Sequence, residues 1–531
     1  MTSKRRDVGF PIMDRRDFLK TTTAAAAFAT GARTPATAAS PAQPDLIKTE
    51  NAKAGASFQL TRMRPDDAKS YRTSLIEGYC SRQSVKAGEK LDIFVSTKPA
   101  AKFTIEIFRM GYYGGAGARS MTTLGPFEGK TQPVPEMGEQ RLRECQWEAS
   151  TSLTIPSDWP SGVYLGRLTT APEVRSPGFS RTGEPPKGGT TSEEPYWQSY
   201  IIFIVKDDRP ADILFQCSDN TWQAYNRWPV NESLYTDPRA AHAPGVSCSF
   251  DRPYGKYVQI FDNPQSMGSG EFLLWEYPLC YWLEKEGYDV TYCSNVDNLD
   301  PANLSRVKTM ISIGHDEYWD VRQFHNVKQA IADGLSVLWL SANDVYMVTP
   351  FTPNAKGGVN RRLTRETCFG EFREEEKEAY SKILGPFENP GPDERDIIGA
   401  RTIVPFNGGG DWTCTKPDHW LFEGTGMKKG DSIPGLVGWE FHGDPDTARA
   451  GLEVIAEGNV WAGGTRLGKY AATIFEGPKK NIVFNATTIF WSQGLSDPPG
   501  HMIPWSHYSR PHGPDERVQR ITKNALKRAI G

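Results

Sequence analysis

The rhythm of apolar residues changes near Pro210, and that change limits the folds open to this chain more than any other feature. Before it, from about 67 to 207, the runs "KLDIFVST", "FTIEIFRMGYY", "TSLTIPSDW", "GVYLGRLTT" and "SYIIFIVKDD" are short and alternating or apolar. Turn formers such as Lys-Ala-Gly-Glu and Trp-Pro-Ser-Gly separate them, the pattern of an antiparallel immunoglobulin-like β-sandwich. After it, strand-like and helix-like segments alternate. "ADILFQCS" (211–218), "YDVTYCS", "KTMISIG" (308–314) and "LSVLWLS" (335–341) read as strands. "PLCYWLEKEG" (278–287), with Pro278 in its first turn and Gly287 as a stop, and "VRQFHNVKQAIADG" (321–334) read as helices. Such alternation calls for a parallel, doubly wound α/β sheet. "YAATIF" and "NIVFNATTIF" add short strands before a last helix, "DERVQRITKNALKRAI". The Gly-rich "MGYYGGAG" (110–117) has no helix behind it and reads as a turn between strands. The Gly/Pro/Ser-rich residues 171–196 read as a long exposed loop.

The expected order is a signal peptide over 1–38, a Pro/Ala-rich tether over 39–66, the sandwich over 67–207 and the α/β region over 208–531. Arg15-Arg16 ahead of Phe18-Leu19-Lys20, an alanine-rich stretch and Ala36-Thr37-Ala38 resemble a Tat-type signal. The expected location is therefore periplasmic or secreted. With 61 basic and 64 acidic residues the net charge is only −3, so no global case exists for nucleic acid or an anionic membrane. No apolar run reaches the roughly eighteen residues of a membrane span. None of the eight cysteines forms a C-x-x-C pair, which argues against a zinc ribbon or a thioredoxin-like site. Cys217, Cys280 and Cys293 sit in apolar runs and read as buried small hydrophobes.

In open α/β sheets, ligands bind beyond the carboxyl ends of the strands. After the first strand comes "DNTWQAYNRWPVNESLY" (219–235), an aromatic loop with Tyr225 and Tyr235. After the third comes "GHDEYWD", with His315, Asp316, Glu317 and Tyr318, and after the fourth "SANDVY", with Asn343 and Asp344. These three loops should share one rim. Their carboxylates, histidine and phenols could form an acid/base pair, a metal site or a hydrogen-bonded shelf; aromatic packing of loop on sheet is the plainer alternative. Phenolate and carboxylate are hard oxygen donors, suited to ferric iron rather than zinc. Other templates fail: there is no G-x-S-x-G elbow, H-E-x-x-H pair or Walker loop. The position after the third strand, where a glutaminase-like domain carries its nucleophilic thiol, reads Gly314-His315-Asp316-Glu317.

"TWQAYN", "SLY", "GHDEYW", "SAND" and "WLEKEGYDV" together resemble the large (beta) subunit of N,N-dimethylformamidase and its relatives, over roughly 70–500. The resemblance implies a sandwich-like domain before a glutaminase-like (flavodoxin-like) α/β domain, and a mononuclear iron, Fe(III), held by two tyrosines and a glutamate. Those ligands fall on Tyr225, Tyr235 and Glu317, with His315 and Asn343 beside them; a later glutamate falls on Glu440 in "GWEFHGD". In this reading Trp222 and Trp228 pack the loop onto the sheet. The expected function is an exported iron-dependent amidohydrolase acting on amide or related C–N bonds of a small molecule. His315 or Glu440 would move protons and Asn343 would orient substrate. The alternative is a non-catalytic periplasmic protein that binds a polymer through the aromatic loop and the sandwich. The two tyrosines stand closer in sequence than in the family enzyme, and this chain is shorter and carries an export signal. These departures argue against carrying over the family's small partner subunit or its substrate, and homo-oligomerisation stays open.

Overall fold

A computed structural model describes residues 45–62, 71–171, 196–234, 246–256, 267–386, 391–402, 408–438, 440–501 and 513–531. The residues expected as a signal peptide, nearly all of those expected as a long exposed loop over 171–196, and Tyr235 lie outside the described residues. The fold is mixed α/β, with β-structure predominating.

The alternating N-terminal segments form two sheets. Ile76–Cys80, Lys90–Thr97 and Thr151–Thr154 make one, in that order and antiparallel. The other runs Ser84–Lys86, Gln198–Lys206, Gly162–Thr170, Lys102–Met110, Ala118–Glu128, antiparallel except for its first pair. Ile93 and Val95 from the first sheet share a core with Phe103, Ile105, Ile107, Ile201, Phe203 and Val205 from the second. The "MGYYGGAG" stretch is the turn between Lys102–Met110 and Ala118–Glu128, as its sequence predicts. Gln198–Lys206 is apolar at successive positions because both of its faces are covered. Ile201, Phe203 and Val205 face the sheet partner, whereas Tyr200, Ile202 and Ile204 pack with Ile213 and Phe215 of the following region.

That region is built on a seven-stranded sheet. Val290–Ser294, Ala211–Cys217, Val307–Gly314, Ser336–Ser341 and Ile482–Asn485 are parallel in that order, and Thr465–Glu476 and Glu453–Ala462 extend it antiparallel. Helices cover both faces. Tyr277–Glu286 and Glu516–Ile530 put Leu279, Leu283, Val518 and Ile521 into one core; Val321–Asp333 puts Phe324, Val327 and Ile331 into the other. Their ends follow the sequence signals. Asp320 accepts from the Arg322 N–H, and Gly287 (φ 77°) and Gly334 (φ 114°) close their helices in the left-handed conformation. Among the described residues no helix is long and apolar enough to cross a membrane.

A buried ion pair joins the two regions. Arg109, on Lys102–Met110, donates to both carboxylate oxygens of Glu284, on Tyr277–Glu286, at 2.8 and 3.0 Å, and both side chains are fully buried. Removing one partner of such a pair costs about 3–5 kcal/mol, because the other charge stays buried. Part of the segment expected as tether contributes here. Leu46–Asn51 is a helix whose Ile47 and Glu50 are buried, and Asn51 donates to Glu284 at 2.8 Å while accepting from the Tyr112 and Tyr113 N–H groups. The chain from Asp45 to Asn51 is thus built into the fold, which its local composition did not predict.

Candidate functional site

The three strand-end segments do converge, and a fourth joins them. The first is not a loop at its start: Asp219–Tyr225 is a helix following Ala211–Cys217 directly, and Tyr225 is its last residue. The helix is too short to persist by its own propensity. Its carbonyl end is held by Arg252, just past the Ser247–Ser249 strand. The buried Arg252 guanidinium donates to Gln223 O (2.9 Å), Asn226 O (3.2 Å), Trp228 O (3.0 Å), Glu232 O (3.4 Å) and Gln223 Oε1 (2.7 Å). One side chain therefore sets the path of the backbone beyond Tyr225.

The second segment leaves Val307–Gly314 by a sharp turn. Gly314 has φ 73°, and a Cβ there would meet Trp275 Cβ at 2.5 Å, so only glycine fits. Asp316 then points back to the strand ends, accepting from Gln216 (2.5 Å), Ser312 (2.9 Å) and Asn295 (2.9 Å). Burial pushes its carboxyl up to about 6 although each of these bonds lowers it. With Asp316 fastened behind, His315 and Glu317 face the other way. The Glu317 N–H donates to Thr221 Oγ1 of the first helix at 3.0 Å, which ties the two segments together.

The third segment places Asn343 in the left-handed region (φ 55°), where asparagine is tolerated better than most residues. Neighbouring Asp344 accepts from Ser341 Oγ (2.7 Å) and the Asp316 N–H (3.2 Å), and its own N–H donates to His442 Nε2 at 3.2 Å. Because Nε2 accepts, Nδ1 carries the proton and donates to Asn485 Oδ1 at 3.0 Å. Burial pushes His442 down to about 4, against the Asn485 bond, so this histidine is a neutral spacer. It also holds the fourth segment, bearing Glu440, against the third.

At the centre the side chains form a connected chain. The Tyr225 phenol donates to Glu317 Oε2 at 2.9 Å. His315 Nε2 lies 3.1 Å from that same oxygen and 2.6 Å from Glu440 Oε2. Asn343 Nδ2 donates to Glu440 Oε2 at 2.8 Å and lies 3.1 Å from His315 Nε2. Burial opposes charge on His315, but Glu440 and then Glu317 outweigh it and hold its proton well above the usual histidine range. Tyr225 is half-buried, its ring 5.4 Å from that of His315. Five of the six residues singled out from sequence thus meet at one point, and Tyr235 lies outside the described residues.

Among the described residues no three His, Cys, Asp or Glu side chains are grouped so as to hold a metal ion. Tyr225 and Glu317 bring a phenol oxygen and a carboxylate oxygen together at 2.9 Å, the two donors that would hold a cation here. Their donor set is all hard oxygen.

The tryptophans divide between two jobs. Trp222 packs among the sheet residues, as expected, with its indole N–H on Glu276 at 2.9 Å. Trp228 does not. It sits in the β-region cluster with Tyr79, Cys145 and Trp147, and its N–H donates to Glu77 at 2.9 Å. All eight cysteines are free, and seven are buried; burial raises the Cys217 and Cys293 thiols well above their usual range. Sequence reasoning missed Arg252, Thr221 and His442. Only His442 left a local sign, two residues after Glu440 on a strand-like stretch.

The chain matches the family described as N,N-dimethylformamidase beta subunit-like, C-terminal, over residues 104–507, more than half of its length, and belongs to that family. The match begins within the Lys102–Met110 strand and so takes in much of the β region as well as the seven-stranded sheet. No curated protein matches it.

Proposed function

We propose that this member of the N,N-dimethylformamidase beta subunit-like family is an exported hydrolase of amide or related C–N bonds, with a mononuclear ferric iron held by Tyr225, Tyr235 and Glu317. Family membership supports the reaction class. The observation that carries the site is the contact of the Tyr225 phenol with Glu317 Oε2, which brings two hard donors to one point beside His315, Glu440 and Asn343. The finer fold belongs to the same reading, with the two N-terminal sheets as an immunoglobulin-like sandwich and the parallel sheet as a glutaminase-like domain. So does export, on the strength of Arg15-Arg16.

When bound, ferric iron would polarise a carbonyl and lower the pKa of a water, the two Lewis-acid roles open to a redox-silent metal. The chain's own residues would do the rest. His315 holds a proton at Nε2 between Glu440 and Glu317, available to a leaving nitrogen. Glu440 Oε2 accepts from both His315 and Asn343, and a carboxylate so placed can take a proton from an attacking water. Asn343 fixes the Glu440 carboxylate and orients substrate. The buried surroundings of this group exclude bulk water and strengthen each of these contacts.

The test is amine release from small formamides and acetamides by iron-loaded protein, with Glu440→Gln and His315→Ala as controls. Turnover should fall by at least about 100-fold in each control. Absence of turnover across the panel by loaded, folded protein would overturn the reading in favour of a binding protein.

A further inference from the structure

The segment from Tyr225 to Leu234 leaves the seven-stranded sheet and is gripped from the β region. It closes where the Leu234 N–H donates to Ala224 O at 3.0 Å. Between those ends two side chains are buried against the β region. Trp228 is fully buried: its indole N–H donates to Glu77 Oε2 at 2.9 Å, its ring meets that of Trp147 edge-on at 6.2 Å, and the Arg72 guanidinium lies over it at 5.4 Å. Glu232, also buried, accepts from Arg141 at 3.1 Å and from Arg143 at 3.3 Å. Both residues are held a second time, through their carbonyls, by Arg252 at 3.0 and 3.4 Å. The stretch leading to Arg252 is tied to the β region as well, by Cys145 N–H on Asp251 O (2.7 Å) and Ser249 Oγ on Glu144 Oε2 (3.1 Å). A buried indole and a buried carboxylate are thus paired across the two regions, where loss of either partner leaves a buried polar group unsatisfied.

We infer that the β region is a clamp on the segment carrying Tyr225, with Trp228 and Glu232 as positioning residues for the metal site. This rests on the reading of Tyr225 as an iron ligand and gives the β region a part in that site. The helix Asp219–Tyr225 is too short to fix its own last residue. Arg252 gathers the carbonyls beyond it, but Arg252 and those carbonyls can shift together unless something outside the group holds them. Trp228 and Glu232, three and seven residues past Tyr225, supply that hold. A metal site needs its ligands kept within about 0.5 Å of their places, by neighbours whose own conformations are locked. The same burial argues against a polymer lying on this loop, since no face of Trp228 is open to stack on one.

The test uses the full-length mature protein, with two readouts that need no turnover. Metal-free protein is titrated with ferric citrate while the visible charge-transfer band is followed, and hydrogen exchange is read over the amides of 222–226. Trp228→Phe keeps an apolar ring and removes the N–H; Glu232→Gln keeps the shape and removes the charge. Each should speed exchange over 222–226 at least about tenfold, the scale of one buried hydrogen bond. Each should also weaken ferric binding at least about tenfold and move the band maximum, in protein that stays folded. Val327→Ala, in a different core, lowers stability without touching the clamp and should leave band and affinity within about twofold of wild type. The two clamp variants act at separate contacts, so either one alone decides. Wild-type exchange, affinity and band in a folded clamp variant would overturn the inference and leave the metal reading standing. Faster exchange with unchanged band and affinity would make Trp228 and Glu232 structural residues only, and overturn it too. A wild type that binds no ferric ion would overturn the metal reading, and the positioning role with it.

Discussion

The phenol of Tyr225 donates to Glu317 Oε2 across 2.9 Å, although 92 positions separate the two residues in the chain. Neither side chain reaches that point by its own local structure. Tyr225 is placed by a short helix whose carbonyl end is held by Arg252, and Glu317 by a glycine turn with Asp316 fastened behind it. The contact is the product of a scaffold, and the scaffold can be tested apart from the chemistry.

Arg252 is the first such test. Arg252→Met keeps the apolar stem and strands the carbonyls of Asn226, Trp228 and Glu232. Each buried acceptor left without a donor costs about 1–3 kcal/mol, so a loss of at least about 3 kcal/mol is expected in urea unfolding. Arg252→Lys should recover only part of it, since an ammonium cannot span several carbonyls as a planar fork does.

His442 gives a pH signature. Folded, it takes a proton only at about 4; unfolded, it does so near the ordinary 6.5. Between those values the unfolded chain binds more protons than the folded one, so stability rises with pH there and is lost as pH falls from about 6.5 toward 4. The shift corresponds to about 3 kcal/mol over that window. His442→Gln should be less stable at pH 7 and should lose this part of the acid slope, as read from urea midpoints at successive pH values.

How far these features were legible in the sequence depended on whether their cause was local. The strands Ala211–Cys217, Val307–Gly314 and Ser336–Ser341 are apolar runs bounded by turn formers, and Gly287 and Gly334 end their helices where a left-handed residue is needed. The rim that gathers Tyr225, His315, Glu317 and Asn343 follows from strand polarity alone. What failed was non-local. Asp219–Tyr225 is helical partly because of Arg252, 29 residues beyond Gln223, and Asn51 is built in through Glu284, 233 residues on. Trp228 has nothing around it in sequence to direct it to Trp147 and Glu77 rather than to the sheet.

Export is tested without reference to the site. Replacing Arg15 and Arg16 by lysine keeps the charge and removes the twin guanidinium pair. The precursor should then remain in the cytoplasm by fractionation and immunoblotting; unchanged export would remove the Tat reading.

On the proposed reading, Tyr225 and Glu317 meet to hold a metal. Iron content and visible absorption of folded protein purified from its own host, wild type beside Tyr225→Phe, test it most directly. Phenolate on ferric iron gives a visible charge-transfer band, so the wild type should be coloured and contain stoichiometric iron. Tyr225→Phe keeps the ring beside His315 and Tyr318 while removing the donor, and should stay folded but lose iron and shift or bleach the band. Colourless, iron-free wild-type protein, with Tyr225→Phe indistinguishable from it, would contradict the account and leave Tyr225 as a packed ring above the sheet.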